Sequence, residues 1–173
     1  VELRFVSPDL ASLDELSSEV LACPVWSDER PSHGVAGLCD FRLAGRISAL
    51  QRRSAMTGQL GEVVMVPGKP HLPYDKLLFF GAGPCASFSE GTFEAVIARM
   101  LATLEGLHAR SAVVELPGRH NELIAAEQAA DLLLTSAGGA LEHDVWTLVE
   151  GYEAKQRVTA HMIEQRRRIR RIL

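Results

Sequence analysis

Apolar and polar positions divide the chain into segments of two kinds. Leu3 and Phe5 alternate with Glu2 and Arg4, so Glu2 to Ser7 has the period of a half-buried strand. Asp9, after Pro8, is placed to cap a short helix through Leu16. Glu19 to Val25 predicts a second strand, and Ser27 to Gly34 a polar loop. Leu43, Ile47 and Leu50 recur at helical spacing, with Arg42, Arg46, Gln51, Arg52 and Arg53 on the other face, which predicts one helix within Gly37 to Arg53. Glu62 to Val66 reads as a strand closed by Pro67-Gly68, Lys69 to Pro73 as a turn, and Lys76 to Phe80 as a strand buried on both faces.

The strongest helical stripe comes next: Phe93, Val96, Ile97, Met100, Leu101, Leu104 and Leu107. Ser87 and Glu90 have the spacing of a capping box that would start this helix. Ser111 to Leu116 predicts a strand, Asn121 to Thr135 a helix with Asn121 as its cap, Gly138-Gly139 a break, Val145 to Val149 a strand, and Glu153 onward a long helix. Strands alternate with helices from residue 60, the order of an α/β protein with helices on both faces of a mostly parallel sheet. The opening strands are expected in the same sheet, antiparallel at one edge.

Composition adds bounds. The 173 residues are 47% hydrophobic and 23% charged, which suits one packed globular domain. Apolar runs fall far short of the ~20 residues that span a bilayer, and no basic-then-apolar leader opens the sequence. The first residue is Val1, which suggests a trimmed or uncounted start. Cys23, Cys39 and Cys85 are odd in number and widely spaced, so neither a disulfide framework nor a C-x-x-C zinc site is expected; free thiols fit a reducing cytoplasm. Charge is uneven. Residues 151–173 hold seven Lys/Arg against two Asp/Glu, a net of +5, while residues 1–150 carry a net of −9. That contrast separates a body (1–150) from a basic C-terminal helix (151–173), a connector or a packing element.

Candidate chemistry is sparse. Gly81-Ala82-Gly83-Pro84 joins a buried strand to a helix start, where glycines let a backbone approach a phosphate. It matches neither G-x-G-x-x-G nor a P-loop, and a tight turn explains it equally well. Cys85 follows at a helix start, where a thiol can be activated, but a free cysteine is more often a small core residue. His33, His71, His108, His120, His143 and His161 form no metal-binding pair; His120 with Glu122, and His143 with Asp144, are too close in sequence to be specific. Arg119, in the loop after a strand, could hold an anion or be a surface residue of a solvated turn. Arg166, Arg167, Arg168, Arg170 and Arg171 crowd the last helix without interleaved aromatics, beside an acidic body. A packing helix is therefore expected there, not a nucleic-acid surface.

One ordered series of segments resembles a known family. Gly37-Leu38-Cys39-Asp40-Phe41-Arg42-Leu43-Ala44-Gly45-Arg46-Ile47-Ser48 resembles the "D-W-R-L-N-G-x-L-S" stretch of the N-terminal domain of leucyl aminopeptidases, with Phe41 for Trp and Ala44 for Asn. Thr57-Gly58 with Gly61-Glu62, then Leu78 to Pro84, Phe88 to Phe93 and Val113 to Gly118 continue in the same order, within residues 1–150. The resemblance implies a macro-domain-like α/β/α sandwich that helps build an oligomer. It also implies that the family's two metals and catalytic residues lie in a separate C-terminal domain. That domain's N-T-D-A-E-G-R motif is absent here, so no catalytic residue, metal ligand or cofactor is assigned. The expected function is a non-catalytic, cytoplasmic domain acting in homo-oligomer assembly or on a peptidase partner. The alternatives are a macro-like module binding ADP-ribose or another phosphate compound through Gly81, Ala82, Gly83, Pro84 and Arg119, or a fragment of a complete metal-dependent aminopeptidase. Asp9 and Asp14 are conceivable adenine-binding residues in the former.

Overall fold

The computed structural model describes residues 2–138 and 144–172, with the side chains of 2 and 169–172 excepted. Six strands form one sheet in the order β1-β6-β5-β2-β4-β3: β1 (Glu2–Val6), β2 (Ser18–Val25), β3 (Val63–Pro67), β4 (Tyr74–Gly81), β5 (Ser111–Val114) and β6 (Val145–Val149). All neighbours are parallel except β3 on β4.

The edge expectation is thereby corrected. β1 is parallel to β6, and β2 lies inside the sheet between β5 and β4. The antiparallel edge strand is β3. Residues 68–73 join it to β4, too short a connection for the crossover that a parallel pair requires.

The alternating side chains of the central strands feed two cores. Val20 and Ala22 of β2, Leu78 and Phe80 of β4, and Val114 of β5 pack on one face beneath α4 (Glu90–Gly106) and α5 (Ala126–Ala137). Leu21, Cys23 and Val25, with Leu77 and Phe79, pack on the other face. There they meet α1 (Leu10–Asp14), α2 (Gly34–Arg42) and α3 (Arg46–Arg52). The result is a three-layer α/β/α sandwich. The last helix, α6 (Tyr152–Ile172), packs Ala154 and Val158 on Ala126 and Ala130 of α5.

Asp9 caps α1 as expected, its carboxylate accepting from Ser12 N at 2.8 Å. Three other expectations change. The single helix of 37–53 is two, broken where Ala44 and Gly45 take φ of 53° and 83°. Asp40 accepts from Ser48 N across that break at 3.0 Å. α4 is capped by Ser89, which accepts from Thr92 N, while Ser87 closes a preceding 3₁₀ turn (Cys85–Ser87). α5 starts at Ala126, not Asn121, because residues 117–124 are spent in turns around Gly118, whose φ is 80°. Gly138 ends α5, and Gly139 lies outside the described residues.

Candidate functional site

The C-terminal ends of the parallel strands gather the loops after β2, β4, β5 and β6, the edge at which open α/β sheets bind ligands. A cleft of about 790 Å³ opens there, walled by Pro8, Gly34, Glu115, Arg119, Glu150 and Tyr152 among others. What the cleft can do depends on which polar groups are left free to face it.

The Gly81–Pro84 turn keeps its backbone donors for the chain itself. Gly81 N donates to Glu62 O (2.8 Å), Ala82 N to Val25 O (2.9 Å) and Gly83 N to Gly58 O (2.8 Å), and Pro84 has no N–H. Cys85 N, at the start of the 3₁₀ turn, is held by both carboxylate oxygens of Asp28 at 2.9 and 3.0 Å. Gly81 is required by packing, since a Cβ there would stand 1.8 Å from Gln59 O. The bond to Cys85 N, first among the causes, holds the Asp28 carboxyl below its ordinary pKa. Cys85 itself is pushed up to about 11 by burial, then by the hydrogen bond and charge of Asp28, so it stays a thiol at neutral pH. Asn121 Nδ2 lies 3.5 Å from its sulfur.

Arg119 lies on the cleft wall with its guanidinium turned inward. Nε and Nη2 grip the two oxygens of Glu150 at 2.7 and 3.1 Å, and Nη1 donates to Ile124 O at 2.6 Å. The pair is buried, with side chains 10% and 7% exposed. A two-pronged bond of this kind fixes the loop after β5 to the end of β6.

The most concentrated charge was missed in the sequence. Glu115, just past β5, is buried and takes Val35 N, in the first turn of α2, at 3.3 and 3.2 Å. His120 stands between two carboxylates, with Nε2 3.1 Å from Glu29 and Nδ1 3.4 Å from Glu115. Glu29 in turn accepts from His33 N at 2.9 Å. Gly34, with φ of 61°, makes room: a Cβ there would lie 2.4 Å from Glu115 Oε1 and 2.7 Å from His120 Cγ. Burial depresses the His120 pKa, but the close carboxylate of Glu115, then that of Glu29, outweigh it and carry it to about 9. His120 is therefore a cation at neutral pH. Burial also raises the Glu115 carboxyl above its ordinary value, against the pull of His120. Glu29 is 91 residues from His120, so no local spacing announces the cluster.

The remaining candidates are dispersed. Asp9 is spent on its cap and Asp14 is paired with Arg42 at 2.7 Å. His161 pairs with Asp131 at 2.8 Å on the α5–α6 surface, and His143 lies outside the described residues. Among the described residues, no three His, Cys, Asp or Glu side chains are arranged to hold a metal ion, and no helix is long and apolar enough to cross a membrane.

Comparison with known proteins bears on the fold and the family. A probable cytosol aminopeptidase of Pseudomonas fluorescens is 31% identical over 72 residues, 42% of this chain and 14% of that protein. A mutant of tomato leucine aminopeptidase superposes with a TM-score of 0.63 at 16% identity, covering 93% of this chain and 36% of that one. A Trypanosoma brucei macrodomain in complex with ADP-ribose superposes with a TM-score of 0.68 at 15% identity, covering 90% of this chain and 66% of that one. The sandwich is thus macrodomain-like, and the chain spans a small part of the curated aminopeptidases it matches. Residues 23–142 match the model of the cytosol aminopeptidase family, N-terminal domain, and the chain belongs to that family through this domain.

Proposed function

We propose that this chain is a non-catalytic domain that acts by self-association or by engaging an aminopeptidase partner, in the cytoplasm. Residues 1–150 form the macro-like unit in this reading, and 151–173 a connector or packing helix. The observation that carries it is Phe41. It sits in the segment that most resembles the family, yet its side chain is 78% exposed, so the fold does not need it for its core. An exposed aromatic of this size is suited to anchor a contact with another chain. The buried ion pairs at the sheet edge agree, because Arg119, Glu150, Glu115 and His120 are engaged with one another or with the backbone.

Size-exclusion chromatography with light scattering, repeated in the presence of a cytosol aminopeptidase, tests the proposal. We expect an oligomer or a mixed complex that Phe41→Ala weakens without loss of helical signal. A strict monomer that captures no aminopeptidase overturns it. So does hydrolysis of a leucine amide by this chain on addition of Zn²⁺ or Mn²⁺.

A second reading is favoured by the cleft of about 790 Å³ at the strand ends. The Trypanosoma brucei macrodomain is described in complex with ADP-ribose. In this reading a related phosphate compound would enter the cleft and displace Arg119 from Glu150, because the backbone donors of the Gly81–Pro84 turn are used within the chain. Calorimetry with ADP-ribose decides: saturable heat supports the reading, and no heat at millimolar ligand removes it.

A further inference from the structure

We infer that the arginine-bearing end of α6 seats in a cavity where β5 and β6 begin on a second copy of this chain, each copy giving its helix end and receiving the other's. This contact rests on the self-association reading above and gives it a partner surface.

The pairing of α5 with α6 sets the helix end in place. Arg157 meets Glu127 at 3.3 Å and His161 meets Asp131 at 2.8 Å, so the two helices run in the same direction at an offset of 30 residues. At that offset Ala137, the last residue of α5, stands level with Arg167, and α6 continues to Ile172. A rise of about 1.5 Å per residue carries it roughly 7 Å past the end of α5. Ala154, Val158 and Met162 are spent on α5, whereas Ile163 is 47% exposed. Arg168 leans on Glu164, but Arg166 and Arg167 are exposed and make no ion pair among the described residues.

The receiving cavity, of about 360 Å³, lies at the edge of the sheet opposite the cleft, the edge toward which α5 and α6 run. Leu101 and Leu104 of α4 and Trp146 of β6 give it an apolar wall. Glu105 and Asp144 line it as well, and neither carboxylate has an ion-pair partner among the described residues; Arg110 sets one positive charge against the two. An excess of negative charge beside an apolar wall suits a helix end that carries free arginines and an exposed isoleucine. The same complementarity holds over the whole chain, with a net of +5 in residues 151–173 and −9 in residues 1–150. Because the giving and receiving parts share one edge, a two-fold axis there satisfies both at once and closes the assembly as a dimer.

Sedimentation equilibrium on the whole chain tests the contact, with circular dichroism as the folding check. We expect a dimer whose dissociation constant rises with salt. Arg166→Glu with Arg167→Glu, and separately Glu105→Lys with Asp144→Lys, should each weaken it at least ~10-fold, since like charges then face one another. Mixing the two variants should restore the dimer, as should all four changes in one chain; damage to the fold would not be repaired in this way. If the second variant does not fold, Glu105→Lys alone, at an exposed residue, takes its place. A monomeric unaltered chain, reversals without effect, or reversals that do not rescue one another overturn the inference. So does an arginine pair needed only to bind duplex DNA or phosphatidylserine vesicles, with self-association unchanged. Association that Phe41→Ala abolishes and the reversals leave intact sinks this contact alone. The broader reading falls only with a strict monomer that also captures no aminopeptidase.

Discussion

His120 Nδ1 lies 3.4 Å from Glu115 Oε1, and both side chains are at least nine-tenths buried, at 9% and 4% exposed. The contact ties the loop after β5 to itself, and through Val35 N and Glu29 it ties that loop to the start of α2 and the loop after β2. Two carboxylates around one imidazolium leave a negative charge in excess, and the backbone N–H groups that the carboxylates accept help to offset it.

The cluster makes stability depend on pH in a defined direction. The folded-state pKa of His120 is raised to about 9 from the ordinary 6.5. Its contribution is therefore fully present below the unfolded value and is lost as pH rises through the folded value. Urea midpoints should fall across the alkaline side of neutrality. In His120→Gln that decline should be largely missing, with a lower midpoint at neutral pH. Equal slopes for the two proteins would show that His120 is not the responsible group.

Arg119→Ala should be among the more damaging single changes, because it leaves Glu150 buried without its counter-charge. Removing one member of such a pair costs about 3–5 kcal/mol. Arg119→Lys should restore only part, since an ammonium cannot reproduce the paired bonds at 2.7 and 3.1 Å. Equilibrium denaturation of the three proteins checks the order.

The two glycines of the turn after β4 should respond differently to alanine. At Gly81 the added Cβ would stand 1.8 Å from Gln59 O, so the backbone must move. At Gly83 there is space, the nearest side-chain atom being 3.9 Å away, and only the φ of 74° opposes the change. Gly83→Ala should cost about 1–2 kcal/mol, the usual penalty of a left-handed residue, and Gly81→Ala clearly more. Thermal denaturation that ranks them in the reverse order would contradict the packing described at Gly81.

Much of the architecture is written in periodicity. Alternation at Leu3 and Phe5, the valines of β2 and β5, and the stripe from Phe93 to Leu104 are local properties, because a strand or helix exposes its faces at a fixed spacing. Asp9 could be recognised as a cap for the same reason: its partner is Ser12, three residues away. Where two local signals competed, the sequence alone could not choose. The Ser87–Glu90 spacing pointed to Ser87, whereas Ser89 makes the cap of α4, and Ala44-Gly45 breaks a stripe that otherwise reads as one helix.

The ordered family-like segments also lay in the sequence, and they pointed to a macro-like domain without its catalytic partner. The tertiary structure alone decided which strand forms the antiparallel edge, and which groups face the cleft. Arg119 read as a free loop cation; it meets Glu150 only because β5 and β6 are neighbours. His120 read as unremarkable; it becomes a cation because folding brings Glu115 and Glu29 around it from two separate loops. Charge in a buried site is set by neighbours in space, and spacing along the chain carries no record of partners tens of residues away.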